Sequence, residues 1–138
     1  MSNKNQQQRW LLGLLILNVV STILHYTDNF ISFDSYPAPN WMNPNHVYLA
    51  WILLIPFAIV GYVLYKKQNY WLAYFCLFIY SNAGAGSMGH YFYGSMRNMS
   101  LIMNTSIILD VVAGISLDLF LFWSAFIAKE WRKLPTSN

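Results

Sequence analysis

Charged side chains are scarce in this sequence. Only 9% of the 138 residues are Asp, Glu, Lys or Arg, whereas soluble globular domains carry about 25%. Hydrophobic residue types make up 57% of the chain. Because so few charges cannot cover the surface of a soluble domain of this length, the composition predicts an integral membrane protein with a single domain over residues 1–138.

Cysteine is almost absent, since Cys76 is the only one in the chain. A lone cysteine excludes an intramolecular disulfide and a thiolate metal cluster, and its position inside an apolar run favours a small buried side chain. The net charge is only +3, and the basic residues lie at the ends of apolar runs instead of along a polar face. Nucleic acid is therefore not an expected partner.

Four apolar segments are candidates for membrane spans, each of which needs about 20 helical residues. They cover residues 10–26, 47–65, 70–90 and 100–128. The predicted fold is all-α, an integral membrane four-helix bundle with up-down-up-down topology. Residues 27–46 form the long connection after the first span, and Pro37 and Pro39 exclude a helix interior there.

The distribution of Lys and Arg predicts the orientation of these spans. Short cytoplasmic segments of membrane proteins are enriched in basic residues. When four spans are threaded, seven of the eight basic residues fall on one side, and Arg97 is the exception. Both termini should therefore be cytoplasmic, and the connection 27–46 should lie outside. The seven residues are Lys4, Arg9, Lys66, Lys67, Lys129, Arg132 and Lys133.

Polar residues recur along one face of the first span. Asn18, Ser21, Thr22 and His25 stand at positions i, i+3, i+4 and i+7, which is helical spacing. Asp28 and Asn29 would extend this face if the helix continued. Small polar residues also serve helix packing in membranes, so this pattern alone does not distinguish a site from a packing surface.

The other spans contain polar residues at matching depths. Asp110 lies about ten residues, or about 15 Å, from the outer end of its helix. A carboxylate there costs about 2.5 kcal/mol or more unless it is paired or protonated. Asn82 and His90 share the outer half of the third span. We therefore expect a polar cavity that is open to the outside and closed toward the cytoplasm, with candidate residues Asn18, His25, Asp28, Asn82, His90 and Asp110.

Several functions fit these residues, and whether the protein is an enzyme stays open. The favoured interpretation is a non-catalytic subunit, assembly factor or partner-binding module with an outward-facing polar site. Such a protein would contact the lipid bilayer and either a membrane-protein partner or a second copy of itself.

A haem or transition-metal site is the first alternative, because histidines ligate haem iron and imidazole and carboxylate groups bind metals such as Cu or Fe. The candidate ligands are His25, His90, Asp28 and His46. A lipid-binding or lipid-isomerising protein is the second, with Asp110 exchanging a proton with its substrate. A proton relay through Asp110 and Asp118 is the third, but these residues are offset by about 80° around the helix.

Three short motifs in the sequence form a pattern that resembles one seen in other proteins. They are His25-Tyr26-Thr27-Asp28-Asn29, Tyr36-Pro37-Ala38-Pro39-Asn40-Trp41 and Gly89-His90-Tyr91. Together they resemble a pattern of uncharacterised small four-span bacterial membrane proteins, and the resemblance covers most of the chain. It implies a location in the bacterial plasma (inner) membrane and implies no activity.

Overall fold

The computed structural model describes residues 3–132, which form an all-α fold without strands. This confirms that the fold is all-α, as predicted. Short 3₁₀ turns follow several of the helices, and a π-helical turn, Trp123–Ile127, follows the last long one. The α-helices are α1 (Asn3–Ile31), α2 (Pro44–Lys66), α3 (Tyr70–Ala85), the short α4 (His90–Tyr93) and α5 (Leu101–Phe122).

The four longer helices form a bundle in which neighbours run antiparallel. Helix α1 packs against α2 and α5, and α3 packs against the same two helices. Side-chain contacts give the direction, because Ser21 on α1 bonds Asp110 on α5 whereas His25, one turn later, lies against Ser106. The order of helices around the bundle is therefore α1, α2, α3 and α5.

The outside of the bundle is apolar. Three stretches are long and apolar enough to cross a membrane, namely residues 4–31, 44–66 and 101–132. Large hydrophobic side chains are exposed along them, among them Leu53, Ile59 and Leu119, each at least 60% exposed. Helix α3 is equally apolar but has only 16 residues. The described residues are thus compatible with an integral membrane bundle.

Two helices are longer than the sequence predicts. Helix α1 ends at Ile31 and not at position 26, so residues 27–31, which we assigned to the connection, are helical. The helix continues because Asn29 is buried and Asp28 bonds a neighbouring side chain, so these polar groups face protein instead of water. Helix α2 begins at Pro44, where the Asn43 side chain accepts a hydrogen bond from the backbone N–H of His46.

Helix α3 is shorter than the predicted span over 70–90. It ends at Ala85, and the chain then winds through a 3₁₀ turn, Gly86–Gly89, into α4. Three glycines, Gly84, Gly86 and Gly89, weaken α-helical winding here because glycine loses more backbone freedom in a helix than other residues do.

Close contact between α3 and α5 depends on glycine. A Cβ atom at Gly114 would lie 2.5 Å from the backbone nitrogen of Ala85 and 2.5 Å from the carbonyl oxygen of Ser81. On the other helix, a Cβ atom at Gly84 would lie 2.7 Å from the carbonyl oxygen of Asp110. The two backbones therefore touch directly, as helices joined by small residues do in membranes.

Substituting Gly114 tests this contact. Gly114→Ala should lower the free energy of unfolding by about 1–3 kcal/mol, because the added methyl group meets backbone atoms that cannot rotate away. The matched control is Gly13→Ala, since a Cβ atom at Gly13 meets nothing within 4 Å. Thermal unfolding in detergent measures both variants. Equal melting temperatures for the two alanine variants would contradict the close approach.

Candidate functional site

A cavity of about 270 Å³, with several polar side chains among largely apolar walls, lies at the end of the bundle where α1 and α3 end and α2 begins. All three histidines of the chain line it. The predicted cavity residues His25, Asn82 and His90 are among its walls, and the sequence alone could not show that these helices converge. The lining residues with polar side-chain groups are His25, Tyr26, Asn29, His46, Asn82, Ser87 and His90.

His90 is held on both ring nitrogens. Its Nδ1 lies 2.8 Å from the carbonyl oxygen of Pro37. A carbonyl only accepts, so Nδ1 carries the proton and donates it. The Nε2 atom, 3.0 Å from the side-chain nitrogen of Asn29, then accepts from that amide. These bonds describe a neutral imidazole that joins the connection after α1 to the ends of α1 and α3.

His25 is almost fully buried beside His90. The two ring centroids lie 5.4 Å apart in an edge-to-face arrangement, and the Tyr36 ring is 5.9 Å from His25 in the same manner. Such geometry is the favoured one for planar rings. The Nδ1 atom of His25 lies 3.5 Å from the Ser106 hydroxyl, which makes a marginal hydrogen bond. Ring packing is therefore what positions this imidazole.

Tyr36 brings the connection into the bundle. Its hydroxyl donates to Asp28 at 2.5 Å and lies 3.0 Å from the Ser106 hydroxyl. Burial, and next the hydrogen bond to Asp28, raise the pKa of Tyr36 above the ordinary value of a tyrosine. Asp28 is directed away from the histidine cavity and lines a separate cleft between α1 and α5.

Asp110 lies beneath the cavity and is fully buried. Its Oδ1 accepts from the Ser21 hydroxyl at 2.9 Å, and its Oδ2 accepts from the Ser87 hydroxyl at 2.7 Å. Because Ser87 also lines the cavity, the carboxyl group is one hydrogen bond away from it. Asp110 thus connects α5 to α1 and to the turn after α3.

Two buried amides keep unsatisfied groups. Asn18 has no exposed surface, and within residues 3–132 neither its side-chain oxygen nor its side-chain nitrogen has a hydrogen-bond partner. It lies deeper than the cavity and does not line it. Asn29 does line the cavity, and its Oδ1 atom also lacks a partner among these residues. Buried polar groups are nearly always paired, so the oxygen of Asn29 is an unsatisfied acceptor in the wall of the cavity.

The structure separates the six candidate residues into three places. His25, Asn82 and His90 meet at the cavity, together with His46. Asp110 and Asn18 lie below it in the core, and Asp28 belongs to the other cleft. Sequence reasoning missed Ser87, which follows a glycine-rich run, and Tyr36, whose partners lie on α1 and α5. Asn29, which the sequence places on the continuation of the polar face of the first helix, does line the cavity.

The geometry of the described residues does not provide a set of ligands for the predicted metal site. Among residues 3–132, no group of three or more His, Cys, Asp or Glu side chains is placed to hold a metal ion. Of the four predicted ligands, Asp28 lies apart from His25, His46 and His90. A metal bound through Nε2 of His90 would have to displace Asn29. Binding of haem, Cu or Fe therefore stays a prediction.

Comparisons of this chain with protein-family models, with curated proteins and with solved structures find no match.

Removing the Tyr36 hydroxyl tests how the connection is attached. Tyr36→Phe should lower the free energy of unfolding by about 2 kcal/mol, because a hydrogen bond to a carboxylate is lost. Unfolding monitored in detergent at pH 7 measures this difference, and Tyr93→Phe, at an exposed ring, is the control.

The difference in stability between the wild type and Tyr36→Phe should also depend on pH. Above pH about 10 an unfolded tyrosine ionises, whereas the raised pKa keeps folded Tyr36 neutral. Ionisation then favours the unfolded wild type, so its advantage over Tyr36→Phe should shrink as the pH rises. A constant difference from pH 7 to pH 11 would contradict the raised pKa of Tyr36.

Proposed function

We propose that the protein is a four-span integral membrane protein with both termini in the cytoplasm. We further propose that it is a non-catalytic binding subunit of the bacterial plasma (inner) membrane. Its outward-facing cavity would hold a polar group of a small ligand or of a membrane-protein partner. The observation that carries this proposal is the convergence of three histidines and two side-chain amides on one cavity.

The hydrogen bonds around the cavity favour binding over catalysis. Acid–base catalysis needs a group that can reach its substrate and change its protonation. His90 already uses both ring nitrogens, and both oxygens of Asp110 accept from serines in the core. His90 and Asp110, two of the groups suited to proton transfer, are thus occupied within the protein, while the exposed ring of His46 can contact a ligand.

The distribution of charge supports an outward-facing cavity. The described basic residues other than Arg97 lie at the end of the bundle opposite the cavity. Lys133 was also predicted for that side but lies outside the described residues. Positive charge accumulates on the cytoplasmic side of membrane proteins, so the histidines would face the periplasm. The bacterial location follows from the sequence resemblance alone. The basic residues at the end opposite the cavity are Lys4, Arg9, Lys66, Lys67, Lys129 and Arg132.

Reporter fusions test the orientation. Fusions after Tyr65 and at Asn138, which lies outside the described residues, should be cytoplasmic. Fusions after Asn40 and Ser95 should be external. Alkaline phosphatase, which is active outside, and green fluorescent protein, which fluoresces inside, give opposite readouts at each position. Phosphatase activity after Tyr65, or its absence after Asn40, would show that the orientation is wrong.

A bulky side chain in the cavity tests binding. Ala50 lines the cavity from α2, whereas its neighbour Leu49 does not. Ala50→Trp should remove whatever small molecule or partner protein co-purifies with the wild type, and Leu49→Trp should leave it. Native mass spectrometry detects both kinds of occupant, and elemental analysis for Fe, Cu and Zn covers the metal alternative. An unchanged set of bound species in Ala50→Trp, or a wild type that carries none, contradicts the proposal.

A further inference from the structure

A second and larger recess lies on the outer surface of the bundle, between α3 and α5. This groove has a volume of about 550 Å³ and begins near the end of the bundle that carries the basic residues. Its walls are strongly aromatic and face outward, since Phe75 is 60% and Phe126 58% exposed. The aromatic side chains of the groove are Trp71, Tyr74, Phe75, Phe78, Phe122 and Phe126.

One carboxyl group interrupts these apolar walls. Asp118 is half-buried, and it is the one charged side chain among the described residues that line the groove. Its hydrogen-bond partner within residues 3–132 is the Ser81 hydroxyl. Ile127 ends the π-helical turn nine residues further on, which places Asp118 about 13 Å from that end. A carboxylate at such depth is costly unless a cation or a proton neutralises it.

We infer that the α3–α5 groove binds a hydrophobic cation, such as an amphiphilic amine or a quaternary onium ion. The Asp118 carboxylate supplies the opposite charge, and the aromatic faces around it attract cations through their π systems. The apolar walls accept the hydrocarbon body of the ligand. A plain acyl chain would gain nothing from the carboxyl group, and an anionic amphiphile would be repelled by it.

A second copy of this chain is a poorer occupant. To neutralise Asp118 it would have to present Lys or Arg at the same depth in the membrane. The basic residues of the described helices lie near their ends instead, with Lys4 and Arg9 in the first turns of α1 and Lys66 at the last position of α2. A small cation that enters from the bilayer meets no such restriction.

Tetraphenylphosphonium and tetraphenylborate provide a matched pair of probes, because they share a shape and differ in charge. Equilibrium dialysis with the full chain in neutral detergent should show saturable binding of one phosphonium ion per protein and, in separate samples, no saturable binding of the borate. Asp118→Asn keeps an oxygen for Ser81 but should weaken binding at least tenfold. Asp34→Asn removes an exposed carboxyl group outside the groove and should leave binding unchanged.

An aromatic wall residue gives a second, independent variant. Phe78→Leu keeps an apolar side chain at an exposed position but removes one π face, so binding should weaken roughly threefold. Size-exclusion chromatography and the melting temperature show whether Asp118→Asn folds. If it does not, Phe78→Leu still tests the inference.

Four results would overturn the inference. They are the absence of phosphonium binding to the wild type, equal binding of the borate, unchanged affinity in Asp118→Asn, and unchanged affinity in Phe78→Leu. A wild-type dimer that Asp118→Asn dissociates and that binds no phosphonium would assign the groove to a second copy instead.

Discussion

The hydrogen bonds of the Asp110 carboxyl group fix the relation between the helices of this bundle. One oxygen accepts from Ser21 on α1, and the other accepts from Ser87 in the turn after α3. An unpaired carboxylate in the core would be strongly destabilising, because leaving a buried polar group without its hydrogen-bond partner costs about 1–3 kcal/mol, and more for a charged group. The two serines are positioned only if α1, α3 and α5 meet here, which in turn requires Gly84 and Gly114 at the close contact.

The cavity above Asp110 is a consequence of this arrangement. Ser87 reaches the carboxyl group because the chain leaves α-helical winding after Ala85, and the same turn places His90 against the connection. Tyr36 then attaches the connection to α1 and α5. The rim of the cavity is therefore held by hydrogen bonds, while its floor is the packed core.

The sequence predicted the positions of the longer helices because apolar length and flanking charge are local properties. It also predicted that His25 and His90 lie at one end, since depth along a helix follows from counting residues. It could not predict that Asp28 turns to Tyr36, because that partner lies in a connection whose path depends on tertiary contacts. The end of α3 was misplaced for a related reason, since hydropathy does not register the tighter winding at Gly86–Gly89.

The most direct test of an outward-open cavity is thiol labelling in intact cells. The one native cysteine, Cys76, is buried and can be replaced by alanine. In that background, Ala83→Cys adds a thiol to the cavity wall, and Gln68→Cys adds one between α2 and α3. We predict that a membrane-impermeant maleimide modifies position 83 at once and position 68 only after the membrane is permeabilised. The reverse order, or no reaction at position 83, would contradict an outward-facing cavity.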